Sequence, residues 1–551
     1  MTKRMLPLGG FVLVLAASLA GGYLQSRPAA RTANSESNLP DHRSFGFEEA
    51  LDSVQENYAG RADLERLGQY SIQGMLQQLD PHSSFFTKTQ FDELQTETNS
   101  RIYGIGVTII RRQDRVYIIS ATPGAPGHKA GLRYGDAIIS IDGQNVKDWT
   151  TEQVMHRVRG EKGETVELTV ERAGIPDPLT VRIRRDEVRL PTVRNAFMVG
   201  QGGIGYIALT GGFSSKTDEE LTTAMTRLKQ EGMRHMILDL RGNPGGLLDQ
   251  AVEVAQKFLP PGEKIVEVRG REDRYTPRVY EVPDNNIPET MPMVILIDRR
   301  SASASEVVAG ALQDHDRALI VGENSFGKGL VQSVNKVWGG AGLTLTVAKY
   351  YTPTGRSIQR DYSSISFYDY YLKRNEEGQA TSPNARGDAL RTDLGRAVYG
   401  GGGIAPDIEV KSPESGALRG RLLYGIFDFV RQLVAGQVAG FREYRIAETQ
   451  SRKELSAEDI NRYPITEPLV AALRQHISAK QQFSVSDEQF DSNISYVQNW
   501  MRREVLTAAY GPEAGEQTYL SEDIQLKKAI ESLDQARMLA DNARRARADR
   551  Q

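Results

Sequence analysis

From Arg189 to about Pro413 short apolar runs alternate with segments of helical spacing, and this constrains the fold more than any other feature of the chain. Met236–Leu240, Met293–Ile297 and Ala318–Val321 read as short strands with almost no polar face, while Leu247–Phe258 and Glu306–Leu312 read as helices. Strands that are apolar on both sides must be covered on both sides. The pattern therefore predicts a largely buried sheet flanked by helices, an α/β core.

At 551 residues the chain is too long for one domain of the usual size, about 100–200 residues. Other textures surround the core. Residues 45–100 show helical spacing (Leu51, Val54, Leu67, Ile72, Met75, Leu76, Leu79) that ends at Asp80-Pro81. Residues 101–188 are β-rich and punctuated by glycine, with Asp142-Gly143 marking a hairpin turn and Thr151–Arg159 a short helix. Residues 414–551 read as helical and charged, ending in an amphipathic helix from Asp523 with a basic tail.

The N-terminus has a different character. Lys3 and Arg4 precede an uncharged run from Met5 to Leu24, which reaches the roughly 20 residues a spanning helix needs. Residues 1–26 thus read as a signal peptide or an uncleaved signal anchor, and 27–44 as a linker. The order of charge and apolar run sends the rest of the chain across the membrane, to the cell envelope.

Composition removes whole classes of chemistry. The absence of cysteine excludes thiol catalysis, disulfides and cysteine-ligated metals, and no His-Glu-x-x-His zinc motif occurs. Lys and Arg number 68 against 71 Asp and Glu, a balance that argues against a nucleic-acid partner.

Arg300-Ser301-Ala302-Ser303-Ala304-Ser305-Glu306 lies between a strand and a helix. That turn holds a hydroxyl beside the free N–H groups of a helix start, as a nucleophile and its oxyanion require. Ser303-x-x-Glu306 equally fits a capping box, in which the serine only caps. A lysine can serve as base if burial keeps it neutral. Lys328 stands between Gly327 and Gly329, and Gln332 shares its face in either a helix or a strand; an exposed surface lysine is the plain alternative. Gly322–Lys328 also approaches a phosphate-binding loop, but Gly329 stands where a magnesium-binding hydroxyl is needed. The turn Leu240-Arg241-Gly242-Asn243-Pro244-Gly245-Gly246 either presents N–H groups to an anion or is a plain structural turn.

Taken in order, several landmarks resemble the carboxy-terminal processing proteases, the tail-specific serine peptidases of the S41 type. They are Leu79–Ser84, Gly104–Val107, Ile237–Gly246, Ser301–Glu306, Phe326–Gly329, Tyr351–Arg356 and Gly402–Asp407. The resemblance implies a crotonase/ClpP-like α/β protease core over 189–413, an inserted β-rich PDZ domain over 101–188, and helical N- and C-terminal regions. It implies Ser303 as nucleophile, Lys328 as base and Gln332 as the support of that lysine. Ala304 and Gly245 would supply the oxyanion hole, with Asp314 in a supporting position. In the PDZ domain Gly104, Ile105, Gly106 and Val107 would form the carboxylate-binding loop. Leu132 would belong to the apolar interior or pocket, and Arg159 either couples peptide binding to activation or is a solvated helix-end charge. The implied activity is an exported serine endopeptidase that recognises protein or peptide substrates by their free C-termini and needs no metal or other cofactor. A catalytically inert PDZ scaffold is the alternative. A homo-oligomer or an adaptor protein is the expected partner of the C-terminal helices, and the membrane that of an uncleaved N-terminal segment.

Overall fold

The computed structural model describes residues 42–98, 101–113, 115–271, 276–363, 370, 389–412, 416–450 and 455–549. The apolar run Met5–Leu24 and most of the linker lie outside them. Among the described residues no helix is long and apolar enough to cross a membrane.

The alternating segment builds a six-stranded sheet in the order Val193–Val199, Ile204–Leu209, His235–Asp239, Met293–Ile297, Leu319–Gly322, Ile408–Glu409. The first pair is antiparallel and the others are parallel. Successive residues of one strand enter different cores, as a period of two demands. Met293, Ile295 and Ile297 face the helices Thr217–Gln230, Leu248–Gln256 and Ala304–Asp314. Val294 and Leu296 face the opposite side, where Leu520, Leu526, Ala529, Leu533 and Ala536 cover them. A five-stranded antiparallel sheet, containing Leu330–Lys336 and Gly342–Tyr351, lies beside the first layer. The N-terminal helices His42–Asn57 and Leu64–Gln77 lead into Ser84–Phe86, an edge strand of this second sheet.

The β-rich segment is closed at its neck by pairing of Arg101–Gly104 with Asp186–Arg189. Inside, Val107–Arg112, Arg115–Ala121, Ala137–Ile141, Thr165–Glu171 and Leu179–Arg184 form one sheet in the order written. Val107–Arg112 is an edge strand with the helix Thr151–Val158 nearby. Asp142 and Gly143 both take positive φ, at 49° and 76°, the backbone of the expected tight hairpin turn.

The sequence reading treats the C-terminal helices as a separate region, whereas in the structure they fasten to both other parts. The helix Ala417–Val434 packs on the β-rich domain, with the Tyr117 and Phe427 rings 5.0 Å apart edge to face and the Arg431 guanidinium over Tyr117. The Tyr134 hydroxyl donates to Glu504 of the helix Ile494–Tyr510. The last helix, expected to be continuous from Asp523, is two: Ile524–Glu531 and Leu533–Ala548. The Ser532 hydroxyl donates to the Lys528 carbonyl at 2.7 Å, a back-bond of the kind that bends helices.

Candidate active site

The strand Met293–Ile297 ends in a turn organised by Asp298, whose Oδ1 accepts the N–H groups of Gly242, Arg300 and Ser301 at 2.9–3.0 Å. Ser303 follows at φ 54°, ψ −115°. A non-glycine residue there is strained by about 1–3 kcal/mol, so its surroundings must impose the geometry. They do so through the Ala302 N–H and the Ser305 hydroxyl, both donating to the Asn243 carbonyl at 3.0 Å, and through the Ser303 N–H, donating to Glu306 at 2.8 Å. Ala304 opens the helix Ala304–Asp314, so its N–H belongs to the first turn, which lacks intrahelical acceptors.

Glu306 does more than the capping pattern foretold. Its buried carboxylate accepts the Ser303 N–H, the Ser325 hydroxyl, and the N–H groups of Gly327 and Lys328 at 2.6 and 2.8 Å. One side chain therefore grips both the serine turn and the lysine loop. Burial raises its pKa, against the pull of these hydrogen bonds.

Lys328 is 1% exposed, which rules out the surface reading. Its Nζ donates to Gln332 Oε1 at 3.3 Å, and Gln332 Nε2 donates in turn to the His82 carbonyl. Burial brings the lysine pKa down to about 7, while Asp80 and Glu306 pull it upward. Asp80 is held within its own turn, accepting the His82 and Ser83 N–H groups at 2.8 Å. His82 is kept neutral by burial and by nearby Lys328 and Arg360, and its Nε2 lies 2.9 Å from the Tyr370 hydroxyl.

The glycine-rich turn meets the serine directly. A Cβ on Gly245, where φ is 100°, would lie 2.8 Å from Ser303 Cβ and 3.0 Å from the Ala304 nitrogen. Gly245's own N–H is engaged, donating to Asn243 Oδ1 at 2.9 Å. Its neighbour Gly246 forms a parallel bridge with Phe213. That bridge uses the Gly245 carbonyl and the Leu247 N–H, both at 2.8 Å, and turns the Gly246 amide away from Phe213.

Asp314 lies at the far end of the serine helix, about 16 Å along it. It accepts from Thr354 and binds Arg356 at 2.6 Å, fixing the Tyr351–Arg356 turn. The neighbouring His315, with Glu263 and Asp393, brings possible metal ligands within 4.8 Å. Arg547 already supplies a cation there, 3.3 Å from Glu263 and bonded to the His315 carbonyl.

In the β-rich domain Gly104, Ile105 and Gly106 are buried ahead of Val107–Arg112, an edge strand among the described residues. Leu132 shares a core with Ile105, and half-buried Arg159 flanks Gly104, where a Cβ would lie 3.8 Å from its Cα and Cγ. The structure thus gathers Ser303, Lys328, Gln332, Ala304 and Gly245 into one place and the loop residues, Leu132 and Arg159 into another. Sequence reasoning missed the double grip of Glu306 and the contribution of Asp80 and His82, whose signals were a cap pattern and the landmark Leu79–Ser84, to which no role was given.

Comparison with known proteins bears on both places. The pattern of Peptidase family S41 matches residues 203–364, and that of the PDZ domain matches residues 93–171. A carboxy-terminal-processing protease of Bartonella bacilliformis is 36% identical over 332 residues, 60% of this chain and 75% of that protein. The chain belongs to peptidase family S41. The carboxy-terminal processing protease CtpA of Bacillus subtilis is 32% identical over 382 residues, 67% of this chain and 80% of its own. Among solved structures, the photosystem II D1 C-terminal processing protease is 27% identical, with a TM-score of 0.36, over 68% of this chain and 94% of that one. This S41 protease is accordingly a carboxy-terminal processing serine peptidase with a peptide-binding PDZ domain. The inert-scaffold alternative is not favoured.

Proposed function

We propose that this S41 protease cleaves peptide bonds with a Ser303–Lys328 dyad after its PDZ domain captures a substrate C-terminus. The observation that carries this reading is the state of Lys328. It is a fully buried amine with a pKa near 7, oriented by Gln332, on a loop tied by Glu306 to the serine turn. A neutral amine at working pH is what a general base requires.

Lys328 Nζ takes the Ser303 Oγ proton as Oγ adds to the scissile carbonyl carbon. The resulting oxyanion accepts the N–H groups of Ala304 and Gly246; Gly245 supplies the space while its own N–H stays on Asn243. The tetrahedral intermediate collapses, the C–N bond breaks, and the lysine ammonium gives its proton to the leaving amine. Lys328 then deprotonates a water that attacks the acyl-enzyme, which releases the new C-terminus and restores Ser303.

Substrate capture uses the edge strand Val107–Arg112. A peptide adds there as a strand, and its terminal carboxylate meets the N–H groups of the Gly104–Val107 loop beside Arg159. Export by the N-terminal apolar run puts the enzyme in the cell envelope, soluble or anchored by one segment. An adaptor or a second copy at the C-terminal helices belongs to the same reading.

The test compares the chain from Ser44 onward with Ser303→Ala and Lys328→Ala. Each is incubated with an unstructured protein bearing an apolar C-terminus, and fragments are read by mass spectrometry. Cleavage by the parent alone is expected; cleavage by Ser303→Ala would refute the dyad. Fractionation of cells expressing the full chain, with and without residues 1–26, tests export.

A further inference from the structure

We infer that the C-terminal helices serve catalysis directly: Asp523 and Gln525 hold Arg241 and so position the glycine-rich turn that carries the oxyanion donor. This rests on the dyad reading above. Arg241 begins that turn, and its guanidinium fork is fully occupied. Nε and Nη2 bond Asp239 at 2.6–3.0 Å, while Nη1 meets Asp523 Oδ2 at 2.7 Å and Gln525 Oε1 at 2.8 Å. Such charge-assisted, multiply bonded contacts fix direction as well as distance.

The anchor is itself fixed. Asp523 Oδ1 accepts the Gln525 and Leu526 N–H groups and caps the helix Ile524–Glu531. Buried Gln525 donates to the Val410 carbonyl at 2.7 Å, beside the last strand of the sheet, and Leu526 and Ala529 seal the helix against the sheet's far face. In the two residues after Arg241 the turn is tied to the serine segment, by the Gly242 N–H on Asp298 and by the Ala302 N–H on the Asn243 carbonyl. Gly245 and Gly246 follow directly after these ties and contribute little stiffness of their own, and the bridge to Phe213 holds the turn's far end. The placement of the first half of the turn therefore depends on both ties. One of them comes from 284 residues further along the chain, outside both matched family segments.

Asp523→Ser separates this role from simple support, because serine is as good a helix cap but removes the carboxylate that meets Arg241 Nη1. Gln525→Met removes the second acceptor and leaves the cap intact. The measurements are kcat and KM on a cleavable peptide, inhibition by a peptide boronic acid that forms a tetrahedral adduct on the serine, and the melting temperature. Asp523→Ser is expected to lower kcat about tenfold or more, a part of the effect of deleting an oxyanion donor outright. Boronate affinity falls with kcat, while KM stays within about twofold and melting is unchanged. Gln525→Met moves the same way to a smaller extent, and Asp534→Ser, on the exposed side of the last helix, changes nothing. Unchanged kcat in Asp523→Ser, or kcat and melting temperature falling together, overturns the inference. Ser303→Ala is run alongside: if it stays active the dyad reading itself has failed, whereas an inactive Ser303→Ala with Asp523→Ser at the parent rate removes this inference alone.

Discussion

Replacing Lys328 by Met should abolish proteolysis and yet stabilise the fold, by an amount that depends on pH in a calculable way. The lysine's pKa falls from 10.5 to about 7 because it is buried. A lysine whose folded pKa lies below its unfolded value penalises folding. The penalty is complete below about pH 7 and vanishes as pH rises toward 10.5, since the unfolded chain binds the extra proton throughout that window. At about 1.36 kcal/mol per pH unit, it is about 4 kcal/mol at pH 7 and about 2 kcal/mol at pH 9. Met nearly matches the stem's volume and does not titrate, but forfeits the bond to Gln332, worth about 1 kcal/mol at any pH. The net gain is thus about 3 kcal/mol at pH 7 and about 1 kcal/mol at pH 9. Urea unfolding of Ser303→Ala and Ser303→Ala/Lys328→Met at both pH values measures this without self-cleavage. The roughly 2 kcal/mol change between them isolates the lysine, because the lost bond cancels. A gap that does not narrow from pH 7 to pH 9, or a Met variant that is the less stable at pH 7, would falsify the argument.

The same lysine should make kcat/KM rise with pH through about 7 and then level off, because the neutral amine is the active form; a flat profile between pH 6 and 8 contradicts this. Gly245→Ala should fold but lose activity about 100-fold or more, since its methyl group would stand 2.8 Å from Ser303 Cβ on a backbone with φ 100°; the assay is peptide turnover beside a melting curve. Tyr134→Phe removes the hydroxyl that donates to buried Glu504 and should weaken docking of the PDZ domain on the C-terminal helices by about 1–3 kcal/mol. It should read as faster amide exchange in Arg115–Ala121, and unchanged exchange there would refute it.

Much of this architecture was legible locally. A strand's two faces repeat every second residue, so Met293–Ile297, apolar at every position, announced a sheet covered on both sides. A serine followed by glutamate three residues on announced a helix start. What covered the second face was not legible, because an amphipathic helix carries no mark of its partner. Leu526 and Leu533 could have met another copy as well as Leu296. The glycines of the turn were visible, but that the Gly245 N–H is already engaged could be known only from its hydrogen bond to Asn243.

By itself, then, the sequence determined the layered α/β core, the β-rich insertion, the family and the short segments from which the site is built. These follow from patterns a few residues long and from motif order. The tertiary structure decided whether those segments form a working site. The basicity of Lys328 depends on the exclusion of water and on Asp80 and Glu306 nearby, and the set of the turn on Arg241 meeting Asp523. Electrostatic energies depend on distance and surrounding medium, and residues hundreds of positions apart set both only when the chain is folded.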